Sequence, residues 1–521
     1  MLQNQIALGY ELTSPIQVSI SQFYGIEIND FAVTVAKTAL WIAESQMMKE
    51  TESIVLMHLD FLPLKTNANI TEGNALRIDW ESIIPKNELY YIMGNPPFIG
   101  YSLQTKEQKE DILSIYVDEN GKPYKTAGKV DYVSGWYFKA AQLMQNTVIQ
   151  TAFVSTNSIT QGEQVAAVWK PLYERFHFHI DFAHRTFIWD SEASQKAHVH
   201  CVIVGFSTKL NTKERVLYSS DRFQIVDNIN AYLVNAPDIF VESNKKPICD
   251  VPEMVKGSSP VDGGNFFLGQ EEYNLFSEKE PQSLKYIKQF FGAREYLHNI
   301  PRWCLWLIHI SPSELLEMPL VKERVDAVKN FRLSSTKKAT RKYAEFPLRF
   351  MELRQPETNY ILIPRHSSEN RRYIPFGFVN SDIICGDANN MIPNATLYQF
   401  GVLTSNVHMA WMRTVCGRIK SDYRYSNDIV YNNFPWPTPS VQQQQKIEQT
   451  AKAILDARLL YPDSCLADLY DEVAMPPELR KAHQNNDRAV MQAYGFSIKD
   501  MTESMCVAEL MKLYQEKLNN N

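Results

Sequence analysis

The apolar run 90–94 ends at four residues that could act on an amino group of a nucleobase: Asn95, Pro96, Pro97 and Phe98. Such an amino group is a poor nucleophile because its lone pair is delocalised into the ring. The Asn95 side-chain oxygen and the Pro96 carbonyl can accept both N–H bonds and turn the lone pair towards an incoming methyl group. Phe98 can stack on the base. The alternative is a turn that only ends a strand.

The elements that would position this motif are those of an open α/β sheet. A buried strand that stops at two prolines leaves a rigid loop at its carboxyl end, where such sheets bind ligands. Residues 23–29 are typical of another strand, and the apolar spacing over 30–44 predicts a helix. An acid that closes such a strand accepts hydrogen bonds from ribose hydroxyls, which is the role we expect for Glu27. In the polar loop 73–80, Asn74 could contact an adenine amino group, or it could belong to an ordinary turn.

These segments, in this order and spacing, resemble S-adenosylmethionine-dependent amino-methyltransferases, and specifically the MmeI-like family of adenine-N6 DNA methyltransferases. The resemblance is carried by stretches over most of the chain: 22–43, 73–80, 94–100, 131–141, 152–162, 182–206 and 417–437. It implies S-adenosylmethionine as cofactor, with Glu27 at its ribose and Ile28 beside it. The family residue that matches Asn74 contacts the cofactor adenine and is usually Asp. Asn74 therefore departs from the family pattern, and we still expect it and its neighbour Ala75 to contact the cofactor.

Later segments would complete a methyltransferase sheet. Residues 151–157 form an apolar run that ends in small polar side chains, and residues 198–206 are rich in β-branched side chains. Both patterns predict buried strands. Between them, Gly162 opens a predicted helix.

The resemblance also implies an aromatic side chain that stacks on the second face of a base flipped out of the duplex. Phe187 and Trp189 are the candidates, and core packing is the role expected of whichever does not stack. Three histidines in the same region, His184, His198 and His200, lack the spacing of a metal site. We therefore predict no metal ion.

The composition is typical of a large intracellular enzyme. A chain of 521 residues exceeds one hydrophobic core, so two or three domains are expected. Its 7 Cys include no C-x-x-C pair, and neither a leader nor a membrane-length apolar run occurs, which favours the cytoplasm. The formal net charge of −6 argues mildly against a nucleic acid partner. Between 322 and 372, however, basic residues outnumber acidic ones by about two to one.

Residues 285–437 are predicted to form a target-recognition region, because aromatic and basic residues interleave there. This mixture suits phosphate contacts beside stacking or base-edge contacts, although a solvated basic face would explain any single cluster. Residues 416–437 resemble the signature that closes this region in the family. They supply our candidates for contacts to double-stranded DNA, the expected partner: Arg418, Lys420 and Arg424.

After residue 437 the sequence becomes Gln-rich and then helical in pattern, which predicts a helical region that packs on the recognition region or against DNA. We divide the chain into a methyltransferase domain at 1–230, a connector at 231–284, a target-recognition domain at 285–437 and a helical C-terminal region at 438–521. The expected fold class is α/β: a class I methyltransferase with a Rossmann-like sheet, joined to an α+β recognition domain and a helical tail. No Asp…Glu-x-Lys arrangement indicates the family's nuclease, so we predict no cleavage.

The main departure from the family lies at residues 1–21. Here the family carries a first strand and a glycine-rich loop that binds the methionine part of the cofactor, whereas this segment has a single glycine, Gly9. That strand would lie between the strands that end at Glu27 and Asn95, so its absence would leave two strand edges unpaired. We therefore expect a truncated reading frame or an upstream polypeptide that supplies the missing part. The chain alone is then expected to bind the cofactor poorly or not at all.

Three functions remain open. The leading hypothesis is a site-specific DNA methyltransferase that transfers a methyl group from S-adenosylmethionine to adenine N6. The second is a catalytically inactive DNA-binding specificity subunit of a restriction-modification system. The third is an Asn-Pro-Pro methyltransferase that acts on protein glutamine or structured RNA. The long region after Phe206 disfavours the third, because a glutamine methyltransferase needs no reader of the double helix.

Overall fold

The computed structural model describes residues 18–55, 68–189, 199–209, 214–220 and 222–520. Contacts divide the chain into two units. Unit 1 comprises Met1–Ser155, Lys170–Phe182 and Ile203–Lys213, and unit 2 comprises Thr156–Trp169, Ala183–Val202 and Glu214–Asn521. Most of the segment in which a glycine-rich loop was sought, residues 1–17, lies outside the described residues. No helix in the described ranges is long and apolar enough to cross a membrane.

Unit 1 has the predicted α/β character. Its elements are β1 Tyr24–Glu27, α1 Asp30–Val55, β2 Asn69–Glu72, β3 Tyr91–Gly94, α2 Lys106–Ile115, α3 Ser134–Leu143 and β4 Gln150–Thr156. The last residue of β4, Thr156, belongs to unit 2, and three further elements contribute residues to both units: α4 Glu163–Phe176, β5 His179–Trp189 and β6 Val199–Ser207. The strands predicted at 151–157 and 198–206 are thus confirmed as β4 and β6, and the helix predicted after Gly162 is α4. His198 itself lies outside the described residues.

Parallel strand pairs bring the motifs of unit 1 to the carboxyl ends of strands. β1 pairs in parallel with β2, and β3 pairs in parallel with β4. The unit 1 parts of the later strands extend the second sheet in the order β3-β4-β6-β5. In the described part of the chain, β1 has no strand partner besides β2, and β3 none besides β4.

An aromatic cluster forms the core of unit 1 beside β4. Side chains of β4 are alternately buried and half-buried, as expected for a strand with one covered face. Phe153 on this strand lies 5.2 Å from Tyr137 between ring centroids. Phe206 stacks on Tyr137 at 5.4 Å and on Phe178 at 4.4 Å. These contacts fix β4 and α3 against each other.

Unit 2 contains short strands followed by helices. Its elements are β7 Arg215–Ser219, β8 Arg222–Val226, β9 Val255–Lys256, β10 Phe267–Leu268, α5 Gln270–Lys279, β11 Ile287–Phe291, α6 Ala293–His298, β12 Trp303–Leu305, α7 Pro312–Leu316, α8 Pro319–Leu333, α9 Lys338–Lys342, β13 Tyr360–Pro364, β14 His366–Ser367, β15 Gly377–Val379, β16 Ile384–Cys385, β17 Asn389–Pro393, α10 Leu397–Leu403, α11 Asn406–Val415, β18 Gly417–Ile419, β19 Asp422–Arg424, α12 Val441–Leu459, α13 Leu466–Leu469, α14 Pro477–Ala493 and α15 Glu503–Asn520.

Three small sheets support the recognition region within unit 2, in the strand orders β10-β12-β11-β16, β15-β13-β17-β9 and β14-β19-β18. Strand β13 is one of the two inner strands of its sheet and is buried over its full length. The helices predicted after residue 437 are present. Gly401 on α10 leaves room for α12, because an added Cβ would lie 2.6 Å from the Ile447 side chain. The predicted packing of the helical region on the recognition region is therefore confirmed.

Candidate active site and DNA-contact surface

The loop after β3 presents the side-chain amide of Asn95. Asn95 is exposed, Pro96 is buried, and Phe98 is partly exposed. No described residue forms a hydrogen bond with the Asn95 side chain. Its donor and acceptor groups therefore remain available to a ligand.

The rest of this loop is anchored to the segment that precedes α3. The Ile99 backbone N–H donates to the Pro97 carbonyl at 3.2 Å, and the Ile99 carbonyl accepts from the Tyr132 N–H at 2.9 Å. The Tyr101 N–H donates to the buried Asp131 carboxylate at 2.9 Å. These bonds hold the loop and involve no atom of the Asn95 side chain.

Glu27 and Asn74 lie at the ends of neighbouring parallel strands. The Gly73 N–H donates to the Glu27 carbonyl at 2.8 Å, which joins the two strand ends. Gly73 has a φ of +147°, and an added Cβ would lie 2.6 Å from the Ile78 side chain, so this close approach requires glycine. One carboxylate oxygen of Glu27 accepts from the N–H of Ile28 at 2.9 Å. The structure therefore brings the proposed ribose and adenine contacts together.

The Asn74 side chain is engaged on both sides. Its oxygen accepts from the Leu76 N–H at 2.9 Å, and its amide nitrogen donates to Asp111 at 3.0 Å. Asp111 also accepts from Arg77 Nε at 2.6 Å and from the Tyr132 hydroxyl at 2.8 Å. Burial alone would raise the pKa of the Asp111 carboxyl, but the hydrogen bonds from these three side chains lower it below its usual value. Asp111 was missed in the sequence because nothing in its local pattern marks it.

Lys139 also holds the loop that follows β2, through the backbone carbonyls of that loop. Its ammonium donates to the carbonyls of Ala75 and Leu76, both at 2.9 Å, and to that of Ile78. It also lies 5.6 Å from the centroid of the Trp80 ring. Burial lowers the pKa of Lys139 to about 8. Sequence reasoning missed this contact as well.

The two candidate stacking residues lie in the unit 2 part of β5. The Phe187 ring is partly buried and lies 4.9 Å from the His184 ring. Trp189, at the end of the strand, is 42% exposed and lies 6.2 Å from Phe187. Within the described residues, no group of three or more His, Cys, Asp or Glu side chains could hold a metal ion.

The three candidate DNA-contact residues lie at different positions in the sheet β14-β19-β18 and differ in exposure. Arg418 pairs with Tyr423 across the sheet, and its guanidinium lies 4.4 Å from the centroid of that buried ring. Arg418 also donates to the Ser421 carbonyl at 3.0 Å and lies 3.8 Å from the Glu369 carboxylate. Because directly paired residues share a face, Arg418 belongs to the covered face of this sheet.

Arg424 lies on the opposite, exposed face. It is paired with His366 on one side and with Gly417, which has no side chain, on the other. Arg424 and His366 are exposed, and no described residue forms a hydrogen bond or an ion pair with the Arg424 guanidinium. Lys420 is exposed in the turn between the strands, with a φ of +57°. The sequence analysis did not identify His366, whose strand has only two residues.

Comparisons with known proteins agree with this architecture. Family models match three consecutive parts: the MmeI DNA-methyltransferase domain at 1–219, the MmeI target recognition domain at 235–438 and the MmeI C-terminal domain at 440–520. A solved structure of the Type IIL restriction-modification enzyme MmeI in complex with DNA is 44% identical, with a TM-score of 0.86 over 97% of this chain and 67% of that chain. The chain belongs to the MmeI family.

A second relative is DNA methyltransferase A of Bacillus subtilis (strain 168). It is 40% identical over 98% of this chain, which spans 58% of the relative's own length. The MmeI family assignment confirms the resemblance found in the sequence and the predicted fold class. The four-part division and the roles of the individual site residues remain predictions.

Proposed function

We propose that this MmeI family chain is the methyltransferase and recognition portion of a site-specific DNA methyltransferase that methylates adenine at N6. The observation that carries the proposal is the exposed Asn95 amide, unpaired among the described residues at the carboxyl end of β3. The names of the two relatives support it, since one is a DNA methyltransferase and the other is a restriction-modification enzyme in complex with DNA.

The chemistry follows from the acceptors of the Asn95 loop. When the target amino group donates to the Asn95 oxygen and the Pro96 carbonyl, its lone pair is directed towards the methyl donor. S-adenosylmethionine supplies an electrophilic methyl group when bound. Phe98 can stack on the flipped base. We propose Trp189 for the second stacking contact because it is the more exposed of the two candidates, with Phe187 packed beside it.

The donors and acceptors at the ends of β1 and β2 fit an adenosyl group. Glu27 offers carboxylate oxygens to ribose hydroxyls, and the Asn74 oxygen offers an acceptor to an adenine amino group. Ile28 and Ala75 would pack against the same ligand. The absence of a Cβ at Gly73 lets the backbone of the two strand ends approach closely.

We further propose that a polypeptide segment outside the described residues pairs with β1 and β3 and completes the cofactor site. The upstream polypeptide expected from the sequence is the candidate. Both strands have a free edge in the described part of the chain. On β3, Tyr91 is 68% and Met93 is 80% exposed, which is unusual for apolar side chains of a parallel strand. A strand between β1 and β3 would pair with their free backbone groups and cover the side chains of Tyr91 and Met93.

For DNA contact we propose Arg424 and Lys420, which are exposed, ahead of Arg418, which packs inside unit 2. Arg424 can form two parallel hydrogen bonds to a guanine edge or to a phosphate. Lys420 is better suited to a phosphate, as a compact charge on a flexible stem.

The proposal is tested by incubating the chain, with and without the matching upstream part of a relative, with DNA and isotopically labelled S-adenosylmethionine. Digestion to nucleosides should place the label in N6-methyldeoxyadenosine, and labelling of intact duplexes that differ in sequence should be confined to one sequence context. Label in methylcytosine would refute the adenine assignment. Specific DNA binding without label, under every condition, would favour the inactive specificity subunit instead.

A further inference from the structure

The amide of Asn74 has a fixed orientation, because its two ends face groups of opposite character. Asp111 is 5% exposed and, as an ionised carboxylate, can only accept hydrogen bonds. The Leu76 N–H on the other side can only donate. The Asn74 nitrogen therefore faces Asp111 at 3.0 Å, and its oxygen faces Leu76 at 2.9 Å. A flipped amide would place two acceptors together at Asp111 and two donors together at Leu76.

Asp111 is itself held by two further donors. Arg77 Nε donates to one of its oxygens at 2.6 Å, and the Tyr132 hydroxyl donates to the other at 2.8 Å. Asp111 lies on α2, whose first turn is fixed by a reciprocal cap between Thr105 and Gln108. The carboxylate that orients Asn74 is thus fixed by the helix that carries it and by two side chains from other segments, Arg77 and Tyr132.

The Asn74 oxygen keeps a second lone pair beyond the bond from Leu76. The 6-amino group of a purine can donate to this oxygen, whereas a 6-oxo group at the same position can only accept. We propose that Asp111 is a positioning residue that holds the Asn74 oxygen as an acceptor and so makes the cofactor site selective for a 6-aminopurine over a 6-oxopurine. This inference rests on the proposed function, because it takes the ligand at Asn74 to be the adenosyl group.

The substitution Asp111→Asn tests the orientation directly. Arg77 can only donate a hydrogen bond, so the side-chain oxygen of the asparagine at position 111 must face Arg77. The NH₂ group of the new amide then faces Asn74, which must flip to offer its oxygen. The flipped Asn74 would present its own NH₂ group to the purine, which favours a 6-oxo group.

Calorimetry on the full chain, combined with the upstream part of a relative that completes the site, should compare S-adenosylhomocysteine with S-inosylhomocysteine, which carries a 6-oxo group and an N1–H in place of the 6-amino group and the unprotonated N1 of adenine. We expect the unmodified chain to prefer the adenosyl ligand by at least about tenfold, since the wrong partner leaves polar groups unpaired. Asp111→Asn should reduce that ratio to about one or reverse it. The matched control is Tyr132→Phe. This variant removes one hydrogen bond to Asp111 but keeps the hydrogen bond between Asp111 and Asn74, so it should retain the preference for the adenosyl ligand.

Two results would overturn this inference while leaving the proposed function intact. One is an unchanged ratio in Asp111→Asn with normal affinities. The other is an equal loss of affinity for both ligands, which would assign Asp111 a purely structural role in the loop. If the unmodified chain, with or without the upstream part of a relative, bound neither ligand, the proposed cofactor site would be wrong, and this inference with it.

Discussion

A single side-chain amide, that of Asn95, faces outwards at the end of β3 without a partner among the described residues. In the chain combined with the upstream part of a relative, we expect Asn95→Ala to abolish methyl transfer and to leave DNA affinity nearly unchanged. The lost acceptor acts on the amino group during the reaction, whereas duplex binding depends mainly on phosphate contacts. Loss of one such group should raise the barrier by about 3 kcal/mol or more. Single-turnover methylation and a DNA-binding titration measure the two effects separately.

Asn87→Ala is the matched control for this substitution. Asn87 is another exposed asparagine in unit 1, in the segment before β3. Its substitution should affect neither rate nor affinity. Methylation by Asn95→Ala at the parental rate would show that the amide has no part in the chemistry.

The two arginines of the recognition sheet differ in what surrounds them, so their substitution should differ in effect. Arg424→Ala should weaken DNA binding by about 1–3 kcal/mol without changing the thermal midpoint, because its guanidinium is exposed and unpaired among the described residues. Arg418→Ala should instead lower the thermal midpoint, because it removes the contact with Tyr423. Binding titrations at several salt concentrations, together with melting curves, separate the two. Equal loss of DNA affinity in both variants would contradict the assignment of faces.

The sequence indicated both arginines equally, and the physical reason is register. Side chains of a strand alternate between faces, so a shift of one residue exchanges the exposed and covered sets. The pairing of Arg418 with Tyr423 and of Arg424 with His366 decides the faces. The second of these pairings depends on β14, which lies about fifty residues upstream and has only two residues.

At the scale of elements, periodicity and β-branched composition were sufficient to predict β4, β6 and α4. The local signal fails where a contact joins distant parts of the chain. Asp111 lies 37 residues from Asn74, and Lys139 lies 64 residues from Ala75, yet together they hold the loop after β2. Neither residue belongs to a recognisable motif, so only the folded arrangement identifies them.

Gly162, at the start of α4, is required by two independent constraints. Its φ is +55°, and an added Cβ would lie 3.0 Å from the Gly417 Cα atom. Its N–H donates to the Val415 carbonyl at 3.2 Å. Gly162→Ala should therefore lower the unfolding free energy of unit 2 by about 1–2 kcal/mol from the backbone conformation alone, and further through the backbone contact.

Gly495→Ala provides the matched comparison. Gly495 also has a positive φ, +73°, but an added Cβ would meet open space. The difference between the two variants in urea denaturation measures the contact with Gly417. Equal destabilisation would mean that the backbone at 417 moves away without cost.

At the scale of the whole molecule, the recognition region and the C-terminal helices share unit 2 and are joined by polar contacts, of which the one at Asp487 is buried. On α14, Asp487 is 5% exposed and accepts from the Tyr373 hydroxyl at 2.6 Å and from the Asn406 N–H at 2.8 Å. At the start of α15, Glu503 accepts two hydrogen bonds from Arg413, both at 2.8 Å. Helical periodicity predicted these helices, but it could not show that a carboxylate on one of them is buried against the recognition region.

The buried carboxyl of Asp487 makes the stability of unit 2 depend on pH. Burial raises the pKa of Asp487 to about 6, although its two hydrogen bonds and the nearby Arg372 and Arg413 act in the opposite direction. In the unfolded chain the pKa of Asp is about 3.9. Between about pH 4 and pH 6 the folded state therefore binds one proton more than the unfolded state, so this contribution to stability is lost as the pH rises through that window.

Asp487→Asn should remove this dependence, because the amide is neutral at every pH and can still accept from Asn406. Relative to the variant, the unmodified chain should lose up to about 3 kcal/mol of unfolding free energy between pH 4 and pH 7. Urea denaturation followed by tryptophan fluorescence at a series of pH values measures the difference, and the effects of other titrating groups cancel in it. Parallel stability curves for the two chains would mean that water reaches the Asp487 carboxyl and keeps its pKa near the ordinary value. The C-terminal helices would then pack on the recognition region less closely than the hydrogen bonds to Tyr373 and Asn406 require.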